Sequence, residues 1–142
     1  LVPFITQTAI GLREKLSVYG NDYPTADGTA IRDYIHVVDL AKAHVSAIEY
    51  NRKNHNKVIP INLGTGNGNT VLEAIHAFEK TSGVPLNYAI GPRRAGDIIA
   101  IYANNDRAQK VLGWQAKYSL EDIMSTAWKW EQELKAGQTV FN

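Results

Sequence analysis

The spacing of apolar residues along the chain alternates between helical and extended periods, with polar turns between them. Pro3 suits the first turn of a helix, and Ile5, Ala9 and Leu12 recur at helical spacing, which predicts a helix to about Glu14. Lys15 to Tyr19 reads as a short strand ended by Gly20-Asn21-Asp22, and a polar, turn-rich loop runs on through Gly28. Arg32 to Val38 interleaves apolar and polar residues and is expected to be extended. Asp39 is a plausible N-cap for a helix carrying Leu40, Ala43 and Ala47 beside Ala41, Val45 and Ile48.

Residues 51–57 form a polar connector, and Val58 to Leu63 is a strand candidate. Thr70 and Glu73 have the T-x-x-E spacing of a capping box, opening a helix with Leu72, Ile75 and Phe78 on one side and Gly83 as its stop. Leu86 to Ile90 and Ile98 to Tyr102 read as further strands. A short helix is expected from an Asn105 cap to Leu112, closed by Gly113. Ser119 with Asp122 opens a last helix whose Leu120, Ile123, Ala127, Trp130 and Leu134 hold a 3-4-3-4 spacing. No internal repeat or low-complexity block interrupts this order, and the alternation of strands and helices argues an α/β or α+β arrangement.

The stretch Ile61-Asn62-Leu63-Gly64-Thr65-Gly66-Asn67-Gly68-Asn69-Thr70 stands where a phosphate-binding loop would sit in a nucleotide-binding unit. A dinucleotide fingerprint needs G-x-G-x-x-G, each glycine answering a separate steric demand. Here the glycines fall at 64, 66 and 68, and position 69 is Asn69. A P-loop lysine is missing as well, since Thr70 and Val71 follow. The spacing favours a glycine-rich strand-to-helix turn.

Composition narrows the remaining classes. The chain has 142 residues, enough for one ordinary domain, and 44% of them are hydrophobic, enough for a core. Fifteen basic against fourteen acidic residues leave a net charge of +1, so no global field suggests nucleic acid or an anionic membrane. The absence of cysteine removes disulfide and thiolate chemistry and fits a reducing, cytoplasmic setting. Its apolar runs fall far short of a membrane span. The chain opens Leu1-Val2-Pro3-Phe4-Ile5, apolar from its first residue and without methionine, the pattern expected of an interior start within a longer protein.

Among residues that could carry chemistry, Asp33, His36 and Asp39 do not converge on one ion at a spacing of three and three, so no metal site is expected from them. His44 and His76 lie in helices without partnered carboxylates, and no G-x-S-x-G nucleophile motif occurs. Anion recognition has better support. Arg32 and the Arg93-Arg94 pair stand in separate segments, and two guanidinium forks suit a diphosphate, with Asp97 able to accept from sugar hydroxyls. Exposed arginines are also commonly plain surface, and residue types alone leave the two readings open.

Four segments resemble a known family: "VYGNDYPTADGTAIRDYIHVVDLAKAH", "INLGTGNGNTVLE", "GPRRAGD" and "ANNDRAQKVLGW". They occur in the order seen in UDP-glucose 4-epimerases, also called UDP-galactose 4-epimerases, which are extended short-chain dehydrogenase/reductase (SDR) enzymes. The likeness covers nearly the whole chain. In that family the N-terminal part carries the glycine-rich NAD loop and a Tyr-x-x-x-Lys pair. None of the seven tyrosines here has a lysine four positions later, Tyr50 with Lys53 coming nearest. The resemblance therefore implies an α/β fold of short strands and helices. It would be the C-terminal substrate-binding part of an extended SDR, NAD-binding Rossmann fold. Residues of about 37–63 would pack on an N-terminal Rossmann domain, and the chain would carry no catalytic, cofactor-binding or metal-binding residue of its own.

Carried over by position, Ser17, Val18 and Tyr19 would line the uracil through backbone groups, and Leu1 would lie at the edge of the same site. Arg32 and Arg94 would grip the diphosphate, and Asp97 would hold the ribose. At Ile101 relatives carry either a bulky tyrosine or a smaller residue that limits sugar size, so Ile101 implies tolerance of N-acetylated UDP-hexoses. The implied activity is NAD-dependent interconversion of UDP-glucose and UDP-galactose at C4 through a 4-keto sugar, by a cytoplasmic enzyme that is a homodimer at full length. This chain alone is expected to be inactive and to bind UDP weakly or not at all. The alternatives are another UDP-sugar-modifying extended SDR, such as a UDP-N-acetylglucosamine 4-epimerase, a decarboxylase or a dehydratase, and a non-catalytic nucleotide-sugar-binding domain.

Overall fold

The computed structural model describes residues 1–54 and 58–140. Ten elements follow in chain order. They are α1 (Val2–Ala9), β1 (Leu16–Tyr19), β2 (Ile31–Arg32), α2 (Val37–Lys53), β3 (Asn69–Thr70), α3 (Val71–Ser82), β4 (Tyr88–Gly91), β5 (Ala100–Ile101), α4 (Asp106–Leu112) and α5 (Leu120–Val140). The mixed α/β arrangement of short elements matches the sequence expectation.

The strands form two small sheets. β1 pairs with β4 in parallel, Leu16 opposite Tyr88 and Tyr19 opposite Gly91. β2 lies between β3, which is antiparallel to it, and β5, which is parallel, so Arg32 stands opposite Asn69 on one side and Ile101 on the other. The main core sits where α1, α3 and α5 meet β1, around fully buried Ile5, Val18, Ile75, Phe78 and Met124. Trp128 meets the Phe78 ring edge-on at 5.5 Å. A second cluster gathers Ala43, Ala108 and Trp114, with the indole N–H of Trp114 donating to Asp39 O at 2.9 Å.

Two helix boundaries follow the sequence signals closely. Thr70 and Glu73 make both hydrogen bonds of the capping box, and Gly83 closes α3 in the left-handed region at φ 71°. Ser119 Oγ accepts from Asp122 N at 3.1 Å while Asp122 Oδ2 accepts from Ser119 N at 2.9 Å, which starts α5.

Other boundaries move, each for a local reason. α1 ends at Ala9 rather than near Glu14, because Gly11 takes φ +87° and Leu12 is exposed, so no burial rewards another turn. The extended stretch ends before Val37, since the N-cap of α2 is His36, whose Nδ1 accepts from Val38 N at 3.1 Å. Asp39 is instead buried in the first turn, where Oδ2 accepts from Lys117 N and Tyr118 N at 2.8 and 3.0 Å. The helix continues through Lys53 into the expected connector, and residues 55–57 of that connector lie outside the described residues.

Residues 58–63 form no strand among the described residues. β4 begins at Tyr88, two residues late, with Leu86 turned into the core. At Asn105 the side chain makes no cap bond and donates to Gly64 O at 3.2 Å, while Asn104 Oδ1 accepts from Asp106 N at 3.0 Å. On α5, Trp130 and Leu134 are exposed and Glu131 is buried, its Oε2 accepting from Thr6 Oγ1 at 2.8 Å. That buried hydrogen bond and the packing of Met124 turn the helix away from its apolar stripe.

The glycine stretch has a structural explanation. Asp33 accepts from Thr65 N at 3.0 Å, from Thr65 Oγ1 at 2.7 Å and from Ala103 N at 3.0 Å, tying the turn to the chain leaving β5. A Cβ on Gly64 would lie 2.6 Å from the Ala103 Cβ and closer still to the Asp33 carboxylate. Gly91, by contrast, would place a Cβ 3.9 Å from Val18 O, an ordinary contact. Gly64→Ala is therefore expected to cost about 2 kcal/mol by forcing apart a close-packed junction, whereas Gly91→Ala stays within about 0.5 kcal/mol of the parent. Urea unfolding of both variants checks the contrast, and equal effects would contradict it.

Candidate functional site

A cavity of about 550 Å³ opens between α1, β1, β2 and the 92–97 loop. Leu1, Ser17, Val18, Tyr19, Arg32, Arg94 and Asp97 all line it, seven of the eight residues singled out from the sequence. The eighth, Ile101, stands opposite Arg32 in the sheet register, is half exposed, and is not among the cavity-lining residues.

Local structure explains how these side chains meet. β1 alternates buried Leu16 and Val18 with exposed Ser17 and Tyr19. Leu16 N and Gly20 N donate to Asn87 O and Gly91 O of the β4 segment at 2.9 Å. In a parallel ladder the peptide groups of alternate residues point to opposite edges. The N–H and C=O groups of Ser17 and Tyr19 therefore point away from β4, toward the strand's other edge. Arg32 is held at the end of β2, donating to Ile31 O at 2.7 Å and forming an ion pair with Asp97. Both partners of that pair are largely shielded from solvent. Two of the five guanidinium N–H groups are used in this way, and the fork retains donors for an anion.

Arg94 takes a different support. Its guanidinium lies over the Tyr19 ring at 4.2 Å, a cation–π stack that leaves the N–H groups at the periphery of the plane. Arg93, one residue earlier, does not line the cavity. It reaches back to Asp22, donating from Nε to Oδ1 at 2.7 Å, and stacks on Tyr23 at 4.0 Å.

Sequence reasoning missed several lining groups. Tyr34 is the most informative, because it follows Arg32 by two residues in extended backbone, and residues at i and i+2 share a face. Arg13 and Lys15, in the turn before β1, add two cations, and Phe4 adds an apolar wall that Arg13 covers at 4.1 Å. A signal existed for Phe4, three residues after Leu1 at helical spacing.

The residues of the discarded metal reading have separate roles. Asp33 ties the glycine turn, His36 caps α2 and Asp39 holds residues 117 and 118. No group of three His, Cys, Asp or Glu side chains able to hold a metal occurs among the described residues. No helix among them is long and apolar enough to cross a membrane.

Comparison with known proteins sets this geometry in context. The family model described as GDP-mannose 4,6 dehydratase matches residues 1–127. A UDP-glucose 4-epimerase of Schizosaccharomyces pombe is 47% identical over 137 residues, covering 96% of this chain and 39% of that protein. The crystal structure of UDP-glucose 4-epimerase from Bifidobacterium longum in complex with NAD+ and UDP aligns with a TM-score of 0.90 at 47% identity, over 96% of this chain and 40% of the other. The enzyme from Stenotrophomonas maltophila, with bound NAD and formylated UDP-arabinopyranose, aligns at 0.92 with the same identity and coverage. The chain thus spans about two-fifths of the length of these relatives.

Burial lifts the Tyr34 phenol to about 12, with Arg32 pulling it down and Glu73 pushing it up. The folded state then holds this proton more tightly than the unfolded state does. The contribution is complete below about pH 10, the ordinary phenol value, and fades as pH rises toward 12. Tyr34→Phe is expected to flatten the fall in denaturant midpoint across that window. A slope identical to the parent's would contradict the burial of this phenol.

Proposed function

The chain belongs to the GDP-mannose 4,6 dehydratase family of extended SDR enzymes, and from that premise we propose that it is the UDP-sugar-binding portion of a UDP-glucose 4-epimerase. The observation that carries this reading is the gathering of Arg32, Arg94, Asp97 and the β1 edge around one cavity. The supporting comparison is the relative from Bifidobacterium longum, whose structure contains NAD+ and UDP.

In this reading the cavity sorts its ligand by chemistry. The N–H and C=O groups of Ser17 and Tyr19 face the edge of the uracil, whose donors and acceptors they complement. Arg94, flat on Tyr19, and Arg32, held by Asp97, present two guanidinium forks to the diphosphate. Asp97 accepts from the ribose. Leu1 closes the edge of the site. These contacts lie away from C4 of the hexose, so they hold the nucleotide while leaving the sugar able to turn.

Among the described residues, the glycine turn does not make a seat for NAD. The space behind Gly64, where a pyrophosphate would approach backbone, is filled by the Asp33 carboxylate, which would repel it. We assign the cofactor and the proton-transfer groups to the remainder of the full-length protein. This chain alone is accordingly expected to show no epimerase activity and weak or no UDP binding.

The outer face of α2 supports a packing surface for that remainder. Val37, Val45 and Ile48 are more than half exposed on it, and Val58 is fully exposed just beyond. A surface this apolar marks a contact site. Residues 58–63 carry a strand-like sequence with no ladder among the described residues, as a strand does when its sheet lies elsewhere.

The test is turnover by the full-length protein. It is expected to interconvert UDP-glucose and UDP-galactose, with Arg94→Ala and Arg32→Ala each raising KM at least tenfold, about the 1.5–3 kcal/mol that a charge-assisted hydrogen bond carries. Unchanged KM in both variants would remove the proposed diphosphate grip. In the same assay UDP-N-acetylglucosamine is expected to turn over, and Ile101→Tyr to suppress it. A parent enzyme inert toward that substrate would overturn the role given to Ile101.

A further inference from the structure

We propose that Arg93 is a positioning residue for the neighbouring Arg94. It would clamp the 92–97 loop onto the 20–28 loop, so that Arg94 and Asp97 face the cavity. The inference rests on the nucleotide reading of that cavity and adds a residue which does not line it.

Three observations carry the clamp. Arg93 Nε donates to Asp22 Oδ1 at 2.7 Å, and its NH2 group donates to the Asp22 carbonyl, so one guanidinium grips both the side chain and the backbone of that residue. The same guanidinium lies 4.0 Å over the ring of Tyr23, which is almost wholly buried. Gly20 takes φ +87°, and a Cβ there would stand 2.7 Å from both Arg93 Cγ and Tyr23 Cε2. The chain is thus shaped to let the Arg93 stem pass against the backbone.

The platform beneath the clamp is itself fixed. Tyr23 N donates to Gly28 O at 2.9 Å, closing the 20–28 loop on itself. Asp27 accepts from Thr29 N at 2.9 Å and from Thr70 Oγ1, fastening the loop's end to the start of α3. On the other side of the clamp the 92–97 loop has few anchors. Arg94, Ala95 and Gly96 are exposed, and the loop closes through Asp97 N to Arg94 O at 3.2 Å and the Arg32–Asp97 ion pair.

Adjacent residues 93 and 94 therefore divide the work. Arg93 turns outward onto Asp22 and Tyr23, and Arg94 turns inward onto Tyr19. Preorganised cations bind an anion more tightly because less conformational freedom is lost on binding. Removing the Arg93 clamp frees the loop that presents Arg94 without removing any group from the cavity.

The experiment is calorimetric titration of UDP, with steady-state kinetics, on the full-length protein carrying Arg93→Ala, Asp22→Asn or Arg94→Ala. Arg93→Ala is expected to weaken UDP binding about tenfold, the combined scale of a cation–π contact and a charge-assisted hydrogen bond. KM should rise with it while kcat stays within about twofold, because binding and not chemistry is affected. Asp22→Asn, a change at an exposed side chain that leaves Arg93 in place, is expected to weaken binding severalfold. If Arg93 touched the phosphates directly, releasing it from Asp22 would leave binding unchanged or tighten it, and either result overturns the proposal. Parent-like binding by Arg93→Ala overturns it too. Should Arg93→Ala fail to fold, Asp22→Asn alone decides. Loss of binding in Arg94→Ala with no effect in the other two leaves the nucleotide reading standing and removes the clamp. No effect in any of the three removes the nucleotide reading itself.

Discussion

The Asp33 carboxylate accepts hydrogen bonds from Thr65 N, Thr65 Oγ1 and Ala103 N, and that convergence holds the strand end from which Arg32 enters the cavity. It joins three segments far apart in sequence: the end of β2, the glycine turn and the exit from β5. Hydrogen bonds to a charged acceptor are each worth about 1.5–3 kcal/mol, enough to hold a three-stranded sheet whose ladders are only two residues long. Arg32 precedes Asp33 directly, so the interaction that fixes the carboxylate also fixes the strand end from which Arg32 reaches the cavity. The same constraint explains Gly64, since any side chain there would occupy the carboxylate's place.

Charge decides what the cavity favours. Arg13, Lys15, Arg32 and Arg94 line it against the single carboxylate of Asp97, in a protein whose overall charge is only +1. The local excess of cations suits a dianion, and the guanidinium groups of Arg32 and Arg94 are held by unlike devices. Arg32 is tied by an ion pair and a backbone carbonyl, Arg94 by an aromatic face. Neither device uses up the fork's capacity to donate. Val18 and Leu1 give the cavity an apolar floor beside these cations, where the proposed nucleotide would lay its base.

Local signals in the sequence were readable where one turn of chain determines the outcome. The Thr70–Glu73 box, the Gly83 and Gly113 stops and the Ser119–Asp122 start depend on near neighbours, and each stands where the spacing places it. What tertiary contacts determine was not readable. His36 displaces Asp39 as the cap of α2 because Asp39 is taken by residues 117 and 118, some 78 positions away. Thr6 draws Glu131 inward and leaves Trp130 out. The segment 58–63 has the composition of a strand and no described partner, a case where composition cannot supply the neighbour. For the site, the motif resemblance pointed to seven residues that line one cavity, while Tyr34 was missed and Arg93 was grouped with Arg94 as an anion ligand. The burial of Tyr34 against the core and the turn of Arg93 onto Asp22 and Tyr23 depend on tertiary packing.

In the proposed reading one cavity, built on β1, β2 and the 92–97 loop, seats a nucleoside diphosphate. A crystal structure of the full-length protein soaked with UDP tests this most directly. Phosphate oxygens are expected within hydrogen-bonding distance of both Arg32 and Arg94, with the uracil edge on the peptide groups of residues 17–19. UDP bound elsewhere, or in this cavity with its phosphates turned away from both arginines, would contradict it.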